Sequence, residues 1–207
     1  MSDKLWKLGI EKLDLDITKA HIEKLKHYVT LLDRWNKTYN LTAIRNPNDM
    51  IPAHIFDSLV VAPYIDGENC LDVGSGAGLP GIPLSIIQPD RQFTMLDTNG
   101  KKTRFIQQAI IELGLPNASV VQSRVAEWKP EKKFDAIISR AFASIADFVN
   151  GCEMHLNSDG CIYAMKGLFP SEELIYTPKG FQLSEKIVLE VPYLEGERHL
   201  LKILNTG

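Results

Sequence analysis

The chain has 207 residues, 44% apolar and 24% charged, with a formal net charge of −3. That length supports one large domain with a sizeable core, and a charge so near balance neither favours nor excludes nucleic acid. Cys70, Cys152 and Cys161 lack CxxC spacing, which argues against a disulfide framework or a metal site. No run approaches the roughly 18 apolar residues of a membrane span, so a reduced, cytoplasmic protein is expected.

Residues 18 to 39 place Ile22, Leu25, Tyr28, Leu32, Trp35 and Tyr39 at spacings of three and four, which predicts an amphipathic helix opening near Thr18. NLTAIRNPND reads as a polar loop with Asn46-Pro47 as turn chemistry. MIPAHIFDSLVVAPYI then resumes a helical pattern, with Pro52 near its start. Residues 1–65 are thus expected to form a helical N-terminal extension.

From Asn69 the pattern changes to short apolar runs alternating with helical stretches, the mark of a mostly parallel sheet. A first strand at the Leu71 run is followed by expected strands at Gln92–Asp97, Ala118–Gln122, Phe134–Ser139 and Cys161–Gly167. Helices are expected around Lys101–Leu113 and Ile145–Met154. Phe181–Val191 and Arg198–Leu204 are joined by PYLEGE, too short for a crossover helix, so they should close the sheet as an antiparallel hairpin. The expectation is an α/β domain over residues 66–207, a seven-stranded, mostly parallel sheet flanked by helices.

LDVGSGAGLPG, Leu71 to Gly81, is the most informative stretch: an apolar run interrupted by Asp72, then four glycines, then a helix start in IPLSIIQ. Glycine lets bare backbone approach a ligand, and the helix start presents unpaired N–H groups, so a nucleotide-like cofactor fits. At the switch point of an open sheet this loop would share a crevice with Asp97, closing the second strand, and Arg140, after the fourth. Gly76 to Gly81 matches GxGxxG, so a dinucleotide enzyme with Asp97 on the ribose is one reading. Two details argue for S-adenosylmethionine. Asp72 stands two residues before the alternating Gly74, Gly76 and Gly78, where a carboxylate can meet an amino-acid moiety but would repel a pyrophosphate. The terminal hairpin also resembles the reversed last strand of class I methyltransferases.

Eight blocks extend the resemblance to most of the chain: WNKTYNLTAIR (Trp35 to Arg45), HIFDSLVV (His54 to Val61), LDVGSGAGLPGIPLSI (Leu71 to Ile86), MLDTNGKKTRF (Met95 to Phe105), QSRVAEW (Gln122 to Trp128), ISRAFAS (Ile138 to Ser144), AMKG (Ala164 to Gly167) and GERHL (Gly196 to Leu200). In these the chain resembles the bacterial RsmG (GidB) methyltransferases, which methylate N7 of a guanine in 16S ribosomal RNA. The resemblance implies a class I fold with a helical N-terminal extension, S-adenosyl-L-methionine as cofactor, and ribosomal RNA or the small subunit as partner; a monomer is expected. It further implies that Gly74 and Leu79 contact the cofactor, that Val125 and Ala126 flank its adenine, and that Arg140 stands at the crevice mouth. The family commonly has an acid where this chain has Ala126, which leaves a backbone N–H to serve there.

Guanine N7 offers a lone pair and no proton, so methyl transfer needs positioning and electrostatic tuning more than a general base. Arg124, Arg140, Lys166 and Arg198, at strand ends or in the hairpin, are the expected RNA contacts, with Arg140 and Lys166 positioning the base through O6 or phosphate. Surface salt bridging is the better account of Lys129, Lys132 and Lys133. Phe142 either stacks on an extruded base or packs in the core. For His54 and Asp57, one turn apart, a hydrogen bond that packs the extension onto the core is expected rather than a metal site.

Overall fold

The computed structural model describes residues 3–140, 142 and 144–206; Ala141 and Ala143 of the ISRAFAS block lie outside them. Its strands are β1 (Asn69–Val73), β2 (Gln92–Asp97), β3 (Ala118–Gln122), β4 (Phe134–Ser139), β5 (Leu156–Lys166), β6 (Phe181–Val188) and β7 (His199–Asn205). They form one sheet in the order β3-β2-β1-β4-β5-β7-β6. The first five pair in parallel, while β7 runs antiparallel between β5 and β6. Strand β1 has β2 on one side and β4 on the other, so the sheet reverses direction where the glycine loop leaves it.

Central strands covered on both faces read as continuous apolar runs, and β1 and β4 are buried along almost their whole length. Alternation sends Leu71 and Val73 toward Phe148 and Val149 of α7 (Ile145–Cys152), and Cys70 toward Leu84 and Phe93 on the opposite face.

Ahead of β1 lie α1 (Asp3–Leu13), α2 (Lys19–Tyr39), α3 (Pro47–Met50), a π-helical turn over Ile51–Phe56, and α4 (Asp57–Leu59). Thr18 caps α2 reciprocally: its hydroxyl accepts the His21 N–H at 3.2 Å while its own N–H donates to His21 Nδ1 at 3.4 Å. The apolar stripe of α2 buries Leu25, Tyr28 and Leu32 in one cluster with Leu79 and Ile82. Phe105 and Ile106 of α6 (Gly100–Leu113) join the same cluster, and Ile82 lies on α5 (Gly81–Ile87). Helix α1 approaches the π-turn so closely at Gly9 that any Cβ there would enter the Phe56 ring.

The structure departs from the sequence reading in several places. Helix α1 was not anticipated. Asn46-Pro47 opens a helix rather than a turn, with Asn46 accepting the Asn48 N–H at 3.0 Å and Pro47 supplying a preset φ at the first helical position. Pro52 lies inside the continuous helical stretch, and since it has no N–H to give back to the chain, the turn there widens to π geometry. Strand β5 begins at Leu156, not Cys161, while β6 ends at Val188 rather than Val191. Between β3 and β4 the chain crosses without a helix. No helix among the described residues is long and apolar enough to cross a membrane.

Candidate functional site

Leaving β1, the chain turns through Gly74, Gly76 and Gly78 with φ of 71°, 60° and 82°, the left-handed region in which an L side chain is strained. Neighbouring elements tie this loop down. The Gly74 and Ser75 N–H groups donate to the Leu96 carbonyl at 2.8 and 3.2 Å, and the Gly76 N–H donates to Asp97 Oδ2 at 2.8 Å. The Gly81 N–H reaches Asp72 Oδ2 at 3.0 Å, and the Tyr28 hydroxyl donates to the Ala77 carbonyl at 2.6 Å. A Cβ on Gly81 would stand 2.6 Å from Met95 Cγ and 2.9 Å from Asp72 Oδ2, so the loop can close on β1 only with glycine there.

Two cavities meet at Gly74. The larger, of about 590 Å³, is lined by Gly76, Leu79, His54, Asp57, Arg140, Lys166 and Arg198 among others. The smaller, of about 390 Å³, is lined by Asp97, Lys102, Arg124, Val125 and Phe142. Of the residues singled out in the sequence, Asp72, Gly78 and Ala126 line neither cavity.

Asp72 does not present its carboxylate to the crevice as expected. It is 1% exposed and turns under the loop onto Gly81, and Oδ1 has no hydrogen-bond partner among the described residues. Burial pushes its pKa up to about 7, against the lowering effect of the Gly81 bond and the Arg140 charge. Gly78 serves packing, because a Cβ there would come within 2.6 Å of Ile82 Cγ1. Ala126 is exposed on the turn after β3. Asp97 does line the smaller cavity, with Oδ2 holding Gly76 and Oδ1 accepting the Asn99 N–H at 2.8 Å.

Each expected RNA-contacting cation meets an acid. Arg140 Nη1 lies 2.9 Å from Asp57 Oδ2, and Arg198 Nε 3.2 Å from Asp57 Oδ1. Lys166 Nζ lies 3.1 Å from Glu173 Oε2 and donates to the Phe142 carbonyl at 3.3 Å. Exposed Arg124 faces Glu127 at 3.6 Å. Thus the Asp57 carboxylate, paired with Arg140 and Arg198, ties the helices ahead of β1 to the strands, while its backbone N–H lies against the His54 carbonyl. His54 bonds within the extension, its Nε2 2.9 Å from the Thr42 hydroxyl and its Nδ1 3.0 Å from the Ala53 carbonyl. Burial first, then the Arg140 charge, push its pKa down to about 4, so its ring is neutral near pH 7. Phe142 is half-buried, stacks on Phe148 with centroids 4.7 Å apart as the core alternative expects, and lines the smaller cavity.

Sequence reasoning missed Tyr28 as a support of the loop, Asp57 as the partner of two arginines, and Glu173 beside Lys166. The spacing of His54 and Asp57 flagged one wall of the crevice; for Tyr28, hidden in an apolar stripe, no local signal existed.

Comparison with known proteins shows the family and the fold. A family model described as GidB, rRNA small subunit methyltransferase G, matches residues 21–201. "Ribosomal RNA small subunit methyltransferase G" of Psychromonas ingrahamii is 50% identical over 194 residues, covering 94% of each chain. The protein of the same name from Enterobacter sp. is 48% identical over 203 residues, covering 98% of each. Among solved structures, TrmN from Thermus thermophilus superposes with a TM-score of 0.59 at 19% identity, over 74% of this chain and 48% of that one. A Thiobacillus denitrificans S-adenosylmethionine-dependent methyltransferase in complex with S-adenosyl-L-homocysteine gives a TM-score of 0.52 at 13% identity, over 77% and 74% of the two chains. At these identities the two structures establish the class I methyltransferase fold.

Proposed function

We infer the function of this chain from the family to which it belongs, the rRNA small subunit methyltransferase G (GidB) family: it transfers a methyl group from S-adenosylmethionine to N7 of a guanine in 16S ribosomal RNA. The structural observation that carries the reading is the double role of Gly74, which borders both a cavity edged by a strand-end carboxylate and a cavity edged by three cations.

The residues present fit the cofactor. In the smaller cavity Asp97 offers a carboxylate edge to ribose hydroxyls, while Val125 and Phe142 offer apolar faces to a purine. The bare backbone of Gly74 and Gly76 admits the remainder past the loop. When bound, S-adenosylmethionine supplies an electrophilic methyl on a sulfonium, and displacement at that carbon by N7 requires no proton acceptor. The chain's own task is orientation. Arg140, Lys166 and Arg198 surround the larger cavity, where they can donate to guanine O6 or hold phosphate. A full cationic charge beside N7 would weaken the nucleophile, and Asp57 and Glu173 temper that charge. Neutral His54 adds none.

This reading places the protein in the cytoplasm as a monomer, with residues 1–65 as an extension packed on a catalytic unit of residues 66–207. Primer extension on 16S ribosomal RNA from cells lacking the protein tests the function: one guanine should lose its N7 methyl, and purified protein should restore it with labelled S-adenosylmethionine. Retention of every 16S methyl in the deleted cells, together with binding of NAD in place of S-adenosylmethionine, would overturn it.

A further inference from the structure

Asp57 is the point where the N-terminal extension touches the chemistry. Its side chain is 9% exposed, yet its two oxygens are divided between cations from two separate parts of the core. Oδ2 takes Arg140 Nη1 at 2.9 Å, just beyond β4, and Oδ1 takes Arg198 Nε at 3.2 Å, just before β7. The same guanidinium is also held through Nη1, which donates to the Glu197 carbonyl at 2.7 Å. All three side chains line the larger cavity beside Gly74 and Leu79. A π-turn directly precedes the carboxylate: the Asp57 N–H lies against the Pro52 carbonyl, five residues back, and His54 and Asp57 both line the cavity.

A guanidinium on a long side chain has many rotamers, and ordering it at the moment of substrate binding costs entropy. A buried carboxylate that grips two guanidiniums removes that freedom beforehand and leaves the trio with one net positive charge in place of two. We propose that Asp57 is a positioning residue for methyl transfer, fixing the orientation of Arg140 and Arg198 at the crevice and limiting the positive charge near the reacting nitrogen. The inference rests on the function proposed above. It assigns the extension a part in catalysis beyond packing.

The test compares wild type, Asp57→Asn and Asp57→Glu by steady-state methyl incorporation into unmodified 16S ribosomal RNA, S-adenosylmethionine titration, RNA binding as a function of salt, and thermal melting. For Asp57→Asn, kcat should fall by about 100-fold, the scale of an ångström's misplacement. Affinity for S-adenosylmethionine should stay within about threefold, since RT ln 3 is roughly 0.7 kcal/mol. RNA binding should hold or tighten, with a steeper salt dependence from the added positive charge. Asp57→Glu should recover part of kcat. In the wild type, the Arg198 Nε–H nuclear magnetic resonance should be protected from exchange, a signature independent of any variant's folding. The proposal is overturned by an unprotected Arg198 Nε–H, by wild-type kcat in Asp57→Asn, or by losses of melting temperature and cofactor affinity in step with activity, which would make Asp57 merely structural. A wild type that binds S-adenosylmethionine but does not methylate 16S RNA would remove the parent reading, and this inference with it. An active wild type matched by Asp57→Asn would remove this inference alone.

Discussion

The hydroxyl of Tyr28, at the centre of the extension's long helix, donates to the carbonyl of Ala77, at the tip of the glycine loop, over 2.6 Å. The ring is fully buried and packs against Phe105, centroids 6.1 Å apart, so the helix carries the phenol to a fixed depth. Burial raises the phenol's pKa, so it remains a protonated donor. Tyr28→Phe keeps the packing and leaves the Ala77 carbonyl without this donor, at a cost of about 1–3 kcal/mol. Thermal melting should register that loss. Calorimetric titration should show several-fold weaker S-adenosylmethionine binding, and unchanged affinity would show that the loop keeps its shape unaided.

Arg140 occupies the crevice between loop and extension, so Arg140→Ala should reduce methyl incorporation by about 100-fold or more through lost positioning. Far-ultraviolet circular dichroism should stay that of the wild type, since Arg198 still faces Asp57. Full activity in this variant would remove Arg140 from the reaction.

His54 gives stability a pH dependence with a defined sign. Its pKa falls from 6.5 in the unfolded chain to about 4 in the folded one, so between those values the unfolded state binds the extra proton. Its contribution is therefore present above pH 6.5 and is lost as the pH falls toward 4. Urea titrations across that interval should show the wild type losing stability relative to His54→Gln as the pH falls. An identical pH dependence in the variant would place the acid sensitivity elsewhere.

Asp72 acts in the opposite sense. A carboxylate whose folded pKa stands near 7 against 3.8 unfolded disfavours the native state increasingly as pH rises from about 4 to 7. The melting temperature of Asp72→Asn relative to wild type should therefore climb over that interval. A constant difference would mean that Asp72 is ionised in the fold throughout.

Gly9 packs directly on Phe56, one residue before Asp57. Gly9→Ala should push α1 off the π-turn and cost about 1–3 kcal/mol through overpacking. Melting of the purified variant measures this, and wild-type stability would mean that α1 can shift freely.

The sequence by itself determined what depends on neighbours in the chain. Apolar runs marked four strands within a residue of where they stand, Thr18 marked the start of α2, the short PYLEGE link dictated the hairpin, and the glycines at 74, 76 and 78 announced a loop needing positive φ. The resemblance to a known family named the reaction. Tertiary structure alone decided which polar groups meet. Asp57 finds Arg140 and Arg198 across separations of 83 and 141 residues, and Tyr28 finds Ala77 across 49. Those pairings depend on how the extension docks on the sheet, a relation that no local periodicity encodes. Asp72 shows the same limit: its place before the glycines was legible, but the direction of its carboxylate was set by burial beneath the loop and the nearby N–H of Gly81.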